Sequence, residues 1–357
     1  MIYNLTLFKP KKTDILLLDN NYANLKFPKL KTEIFKYKKI YLIIFLHSLL
    51  NFLFKNKEKK KIKEIYLRIF FEALKPKVII GHNFNHLIFA VKKYSPNSKV
   101  IIYTHSWLYS SELNDLKKIS KSAKIDYFFV CDEFYKKILR KNFKSNFIVN
   151  GLVKNNEIKI IKIKKKYDLA YISEYRISNY PKKNIHLKFI KQVAKILNEY
   201  ATVHNKKVVL ALNSSRKDKN IPQEEEIKFF KEIFPNIIFL PGKNSYEVCN
   251  LAEVTVCLNS NLGADLLARG KKVLFLTFLN KFGSAFENPY FKKKSFFTYN
   301  KKNKKVIFNK INYLLNKKEK FWKKKLKQSK IKIIFDKDNF LLKKQIYKII
   351  ENYKIFD

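Results

Sequence analysis

The chain has 357 residues, 46% hydrophobic and 15% aromatic, enough for two domains of ordinary size and too apolar for wholesale disorder. Its formal net charge is +47, from 76 basic and 29 acidic side chains, which points to a polyanionic partner: nucleic acid, an anionic membrane or a phosphorylated substrate. Lysine supplies nearly all of it (the arginines are Arg68, Arg140, Arg176, Arg216 and Arg269) in a chain rich in Ile, Asn, Phe and Tyr, so the codon bias of an AT-rich genome accounts for the charge as readily as a partner does.

From the N-terminus, Met1 to Pro10 does not read as a signal peptide, and Ile15 to Leu18 reads as a strand. Ile40 to Phe54 is the longest apolar run. It contains His47, Ser48 and Asn51, and lysines flank it. It is short for a membrane span and reads as a buried or surface-lying helix, with a monotopic membrane contact and then a true span as the alternatives. Lys61 to Leu74 is a second helix. Strands are expected at Lys77 to Gly81, Lys99 to Tyr103, Tyr127 to Cys131 and Phe147 to Val149, with helices at Asn85 to Lys93 and Asp132 to Lys141. Asn150-Gly151 is a turn signal. Asn155 to Lys166 is lysine-rich and irregular, and is expected to link two domains.

The pattern then restarts. Strands are expected at Tyr167 to Ile172, Lys207 to Leu212, Ile237 to Leu240, Val254 to Leu258 and Lys272 to Thr277. Helices are expected at Asn184 to Tyr200, Gln223 to Phe234, Ser245 to Ala252 and Gly263 to Arg269, then over Lys304 to Lys327 and Asn339 to Tyr353. Glu224, Glu225 and Glu226 suit the positive end of their helix. Alternating strands and helices imply parallel, doubly wound sheets. Cys131, Cys249 and Cys257 lack metal spacing and read as buried free thiols of a reducing compartment.

Val254 to Thr277 carries the strongest chemical signal. A strand ends at Leu258, Asn259 to Gly263 form a small polar turn, and a helix follows. A helix start with small hydroxyl or amide side chains suits an anion. Ser260 is the candidate cap, Gly263 the candidate point of close approach, and Asp265 a first-turn carboxylate suited to a ribose or sugar hydroxyl. An ordinary strand–turn–helix capped by Ser260 is the plainer alternative.

The stretch NSNLGADLLARGKKVLFLT resembles a segment of GT-B glycosyltransferases and related surface-carbohydrate (O-antigen) biosynthesis proteins. YDLAYISEYR at Tyr167 to Arg176 is similar to the opening strand of their donor domain, and LKPKVIIGHNFN at Leu74 to Asn85 and Val149 to Leu152 are similar to their acceptor half. The resemblance covers about Leu74 to Trp322. It implies an α/β fold of two Rossmann-like domains facing a central cleft. The N-terminal acceptor-side domain is expected over residues 1–160 and the nucleotide-sugar domain over 161–335, with a C-terminal helix, 336–357, crossing back to the first. In the family the small residues and glycine border the donor phosphates and the acidic residue faces the ribose. Here these are Ser260, Asn261, Leu262, Gly263 and Asp265, the last an Asp where the family has Glu. Ser173, Glu174 and Arg176 match the polar loop after the opening strand.

Arg216 follows the strand Lys207 to Leu212, and Lys243 follows Pro241-Gly242; with Arg176 they are candidate phosphate partners, or plain surface cations. His82 and His105 fall just past strand carboxyl ends, in the loops His82 to His86 and His105-Ser106-Trp107, and are the candidate bases for an acceptor hydroxyl. Without a carboxylate or cysteine to join them, His82, His86 and His105 make a poor zinc set.

The resemblance implies a metal-independent transferase with no cofactor beyond the nucleotide-sugar co-substrate. It would transfer a sugar to a lipid-linked or polysaccharide acceptor, and the charge adds an expected association with the anionic inner-membrane surface from the cytoplasm. The alternatives are a non-catalytic surface-polysaccharide protein of the same fold, or a basic nucleic-acid-binding protein. No helix-turn-helix, zinc finger, RNP or KH motif supports the last, and no nucleic acid partner is expected.

Overall fold

The computed structural model describes residues 4–18, 25–36, 39–55, 61–119, 123–159, 163–175, 181–214, 222–278, 291, 295–329 and 334–354. In chain order its elements begin β1 (Asn4–Thr6), β2 (Ile15–Leu18), β3 (Thr32–Phe35), β4 (Lys39–Tyr41), α1 (Leu42–Lys55), α2 (Ile62–Leu74), β5 (Val78–His82) and α3 (His86–Ala90). There follow β6 (Lys99–Tyr103), α4 (Ser110–Ile119), β7 (Tyr127–Val130), α5 (Glu133–Leu139), β8 (Asn146–Val149) and α6 (Val153–Glu157). Then come β9 (Tyr167–Ile172), α7 (Pro181–Val203), β10 (Val208–Ala211), α8 (Gln223–Ile233), α9 (Ser245–Asn250), β11 (Ala252–Cys257), α10 (Asn261–Ala268) and β12 (Val273–Leu276). The last are β13 (Thr298–Tyr299), α11 (Lys304–Asn316), α12 (Glu319–Gln328) and α13 (Phe340–Lys354).

The chain forms two compact units. The first comprises Met1–Ser106, Asn114–Ile158 and Ile334–Asp357; the second comprises Trp107–Leu113 and Lys159–Ile333.

In the first unit six parallel strands run in the order β3-β2-β5-β6-β7-β8. Both faces of this sheet are covered, so the strands read as continuous apolar runs such as Val78-Ile79-Ile80 and Val100-Ile101-Ile102. One face packs Ile15, Leu17, Val78, Ile80, Ile101 and Phe129 against Leu342, Ile346, Ile349 and Ile350 of α13. The C-terminal helix therefore completes the core of the N-terminal sheet.

A buried polar knot holds that return. Asn156 Nδ2 donates to the Asn150 carbonyl at 2.7 Å and to Asn339 Oδ1 at 2.9 Å, and Asn339 Nδ2 donates to the Val153 carbonyl at 2.9 Å. Gly151 sits at φ +76°, and a Cβ there would run into the Ile334 carbonyl. The stretch Asn155 to Lys166 therefore departs from the expected irregular linker at its start. Asn155 and Asn156 are buried within α6, and the Asn156 amide group pairs with the Asn150 carbonyl and accepts the Asp336 amide of the returning segment.

In the second unit five parallel strands run in the order β10-β9-β11-β12-β13. The chain leaves β9 to one side for β10 and returns on the other side as β11. The topological switch point, where doubly wound sheets bind ligands, thus lies between β9 and β11. The expected strand Ile237 to Leu240 is absent: only Ile238 bridges to Val209, and Pro241 follows with no amide to extend the ladder. The helical stretch Lys304 to Lys327 is two helices, broken at Lys317 and Lys318, both of which have extended backbone. The run from Ile40 begins as the end of β4 and becomes helical at Leu42. Cys131, Cys249 and Cys257 are free and buried, and burial pushes the Cys249 thiol up to about 12.

Candidate functional site

At the switch point of the second unit, Ser173 and Glu174 follow β9 while Leu258, Asn259 and Ser260 follow β11. Ser173 is buried, and its Oγ accepts the Tyr175 amide at 3.2 Å, shaping the turn. Glu174 reaches across the switch point: Oε1 accepts the Asn259 amide at 2.7 Å and the Leu258 amide at 3.1 Å, and Oε2 lies 3.7 Å from His186 Nε2. An anion does occupy backbone amides at the end of β11, and that anion is the protein's own carboxylate. The end of β10 repeats the device. Fully buried Glu226 of α8 accepts the Asn213 and Ser214 amides, each at 2.8 Å. All three glutamates lie in the first turn of α8, as expected, and the third also closes the neighbouring strand's loop.

Helix α10 starts at Asn261, two residues earlier than expected. Ser260 is its N-cap, with Oγ accepting the Leu262 amide at 3.2 Å. Asn261 Oδ1 accepts the Trp107 amide at 3.2 Å.

Gly263 faces the sheet. A Cβ built on it would lie 2.5 Å from Cys257 Sγ and 3.1 Å from the Phe275 ring. The missing side chain thus serves close packing of helix on sheet, where an approach to ligand was expected. Asp265 is likewise displaced from its expected place. It lies in the second turn of α10, is 6% exposed, and accepts from Trp107 Nε1 at 3.2 Å and from Tyr246 Oη at 2.6 Å. Arg269, one turn on, feels both Asp265 and Tyr246, while burial pulls its guanidinium below its ordinary pKa. Asp265 is thus tied into an internal cluster because a short carboxylate at this depth meets an indole and a phenol before it meets solvent. The segment Trp107–Leu113 completes the edge, with Tyr109 Oη donating to the Asn259 carbonyl at 3.4 Å.

Lys243 is exposed in the turn after Pro241-Gly242. Arg176 and Arg216 lie outside the described residues.

In the first unit the two candidate histidines are neighbours, with ring centroids 5.6 Å apart. His82 is 4% exposed, and its Nδ1 accepts the Phe84 amide at 3.1 Å, so its ring proton sits on Nε2. His105 is partly exposed. Its backbone amide donates to Asn83 Oδ1 at 3.0 Å and its Nδ1 lies 3.3 Å from the same oxygen. An amide oxygen only accepts, so Nδ1 is the donor in this contact. Beside them Asn83 and Thr104 are buried, with no hydrogen-bond partner for Asn83 Nδ2 or Thr104 Oγ1 among the described residues. His86 opens α3 behind its cap Asn85. Among the described residues no group of three His, Cys, Asp or Glu side chains is arranged to hold a metal ion.

Trp107, Tyr246, Glu174 and Glu226 carry most of this architecture. Nothing in their local spacing announces it, since each acts on a residue far away in sequence.

Comparison with known proteins places this geometry. A family model described as "putative O-antigen biosynthesis protein" matches residues 108–350. No curated protein matches the chain by sequence. Among solved structures, the UDP-GlcNAc 2-epimerase of Neisseria meningitidis, bound to UDP-GlcNAc, is similar with a TM-score of 0.58 at 13% identity, over 94% of this chain and 99% of that one. The UDP-GlcNAc 2-epimerase of Methanocaldococcus jannaschii has a TM-score of 0.54 at 14% identity, over 95% and 99%. The glycotransferase of kitacinnamycin has a TM-score of 0.50 at 9% identity, over 96% and 100%. At such identities the likeness is one of fold: two Rossmann-like domains, as in GT-B glycosyltransferases and these epimerases. With its family model spanning more than half its length, the chain belongs to the O-antigen biosynthesis protein family and carries a GT-B-like fold.

Proposed function

We propose that the protein is a glycosyltransferase that takes a sugar from a nucleotide-sugar donor and delivers it to a lipid-linked or polysaccharide acceptor of a surface glycan. The observation that carries this reading is the Ser260-capped start of α10 at the carboxyl end of β11, beside the switch point of a parallel sheet. First-turn amides and the positive helix end stabilise the charge that develops on a leaving diphosphate. Lys243, Arg176 and Arg216 are the candidate cations for the same charge. Glu174 and Glu226 fix the loops in place, and Asp265 supports the helix from within and leaves the ribose to other groups. In the first unit, His105 takes the acceptor hydroxyl proton on Nε2, with Asn83 setting its tautomer and His82 packed behind it as a positioning residue. The reaction needs no cofactor beyond the donor.

Thermal melting with UDP-, GDP- and CMP-sugars tests donor binding. One nucleotide class should raise the melting temperature, and Ser260→Ala with Lys243→Ala should reduce the apparent affinity about tenfold. Salt-sensitive duplex binding without any nucleotide effect would support a nucleic-acid-binding protein and contradict the proposal.

A further inference from the structure

The helix α1 is built inside out. Ile44 and Ser48 face the protein, both essentially buried, and Ser48 Oγ turns back to the Ile44 carbonyl at 2.5 Å. The outward stripe at helical spacing is Ile43, Leu46, Leu50 and Leu53, continued by Phe54, which is 78% exposed. A helix that packs a serine inward and shows leucines and phenylalanine outward is not covered by its own fold.

A second segment extends this surface. Strand β1 pairs in parallel with β4, the strand that runs directly into α1, with Thr6 opposite Tyr41. Leu7 and Phe8 therefore leave β1 beside the first turn of α1, 66% and 80% exposed.

The charge flanking the stripe along the chain is mainly positive. The sequence of α1 holds no charged side chain before Lys55. Lys9, Lys11 and Lys12 follow Phe8, all exposed. Residues 55–63 read KNKEKKKIK, six lysines against Glu58. An apolar stripe bordered by lysines matches a layer of hydrocarbon bordered by acidic headgroups. It does not match a second copy in a symmetric contact, which would bring these lysines against their own counterparts. At 14 residues the helix is about 21 Å long, short of the hydrocarbon thickness of roughly 30 Å, so it lies along the surface. No helix of the described residues is long and apolar enough to cross a membrane.

We propose that α1, together with Leu7 and Phe8, is a membrane-docking surface that inserts into the headgroup–acyl boundary of a bilayer rich in acidic phospholipid. This goes beyond the transfer reaction and stands whether or not that reaction is correct.

The test is flotation of the full chain with vesicles of phosphatidylcholine alone or mixed with phosphatidylglycerol. The expected result is partition into the mixed vesicles at least about tenfold above that into phosphatidylcholine. The triple variant Leu46→Gln, Leu50→Gln, Leu53→Gln should keep its melting temperature, since these side chains are exposed, and lose binding about tenfold. Lys11→Gln, Lys12→Gln, Lys61→Gln and Lys63→Gln together should remove the preference for acidic lipid. A wild-type chain that stays unbound, or a leucine variant that floats as well as wild type, would overturn the proposal. So would a wild-type dimer in sedimentation that the leucine variant converts to a monomer, because a second copy would then be the occupant.

Discussion

The indole N–H of Trp107 donates to Asp265 Oδ1 at 3.2 Å, with the donor 1% exposed and the acceptor 6%. The two residues are 158 positions apart, and the second oxygen of the same carboxylate is taken by Tyr246. Asp265→Ala leaves both donors without this acceptor and should cost about 2–4 kcal/mol in urea unfolding. Trp107→Phe, which keeps an aromatic ring, should cost about 1 kcal/mol less. In the double variant the losses should fall short of their sum by at least about 0.5 kcal/mol, the sign of a shared interaction. Strict additivity would remove this bond from the account.

Glu174 and Glu226 should behave as a pair of internal anions. Glu174→Ala and Glu226→Ala each orphan two backbone amides and should each destabilise by about 2–4 kcal/mol. The Gln variants retain an acceptor oxygen and should lose roughly half as much. Chemical denaturation of all four proteins checks the order.

Gly263→Ala should destabilise by about 1–3 kcal/mol through overpacking, since its Cβ meets Cys257 Sγ and the Phe275 ring. Adding Cys257→Ala should recover part of the loss, because the sulfur is the nearer obstacle. A ligand-approach role for Gly263 predicts the opposite pattern: unchanged melting with weakened nucleotide binding.

Lys165 supplies a pH test. Burial, helped by repulsion from Lys271, pulls its ammonium down from 10.5 to about 8, while Nζ donates to the Asn250 carbonyl at 2.7 Å. Between these two pH values the unfolded chain holds a proton that the folded chain has released, so this group makes stability rise with pH across that window. Lys165→Met lacks the effect. The stability of wild type relative to Lys165→Met should therefore increase from pH 7.5 to about 10, a trend that denaturant titrations at the two pH values read directly.

Periodicity carried the sheets. Tyr167–Ile172 and Lys99–Tyr103 form strands with the expected ends, because buried parallel strands leave continuous apolar runs between polar loops. Short edge elements escaped: Thr32–Phe35 and Thr298–Tyr299 offer too few residues for a pattern. Ile237 to Leu240 shows the converse, apolar enough for a strand but paired only at Ile238. At the candidate site the local cap on Ser260 was legible, since it needs only neighbours. The roles of Gly263 and Asp265 were not, because Cys257, Phe275, Trp107 and Tyr246 decide them from across the fold. Glu226 was hidden in the same way, one of three adjacent glutamates that local sequence cannot tell apart.

Transfer itself is the central claim, and following the fate of the donor tests it most directly. The full chain is incubated with the nucleotide-sugar that stabilises it, labelled in the sugar, with and without a lipid-linked glycan extract. The account predicts release of free nucleotide and appearance of label in the lipid-linked fraction only when acceptor is present, both reduced about a hundredfold or more by His105→Ala. A change in the sugar's stereochemistry while it remains on the nucleotide, with no acceptor required, would contradict it and assign the fold to epimerisation.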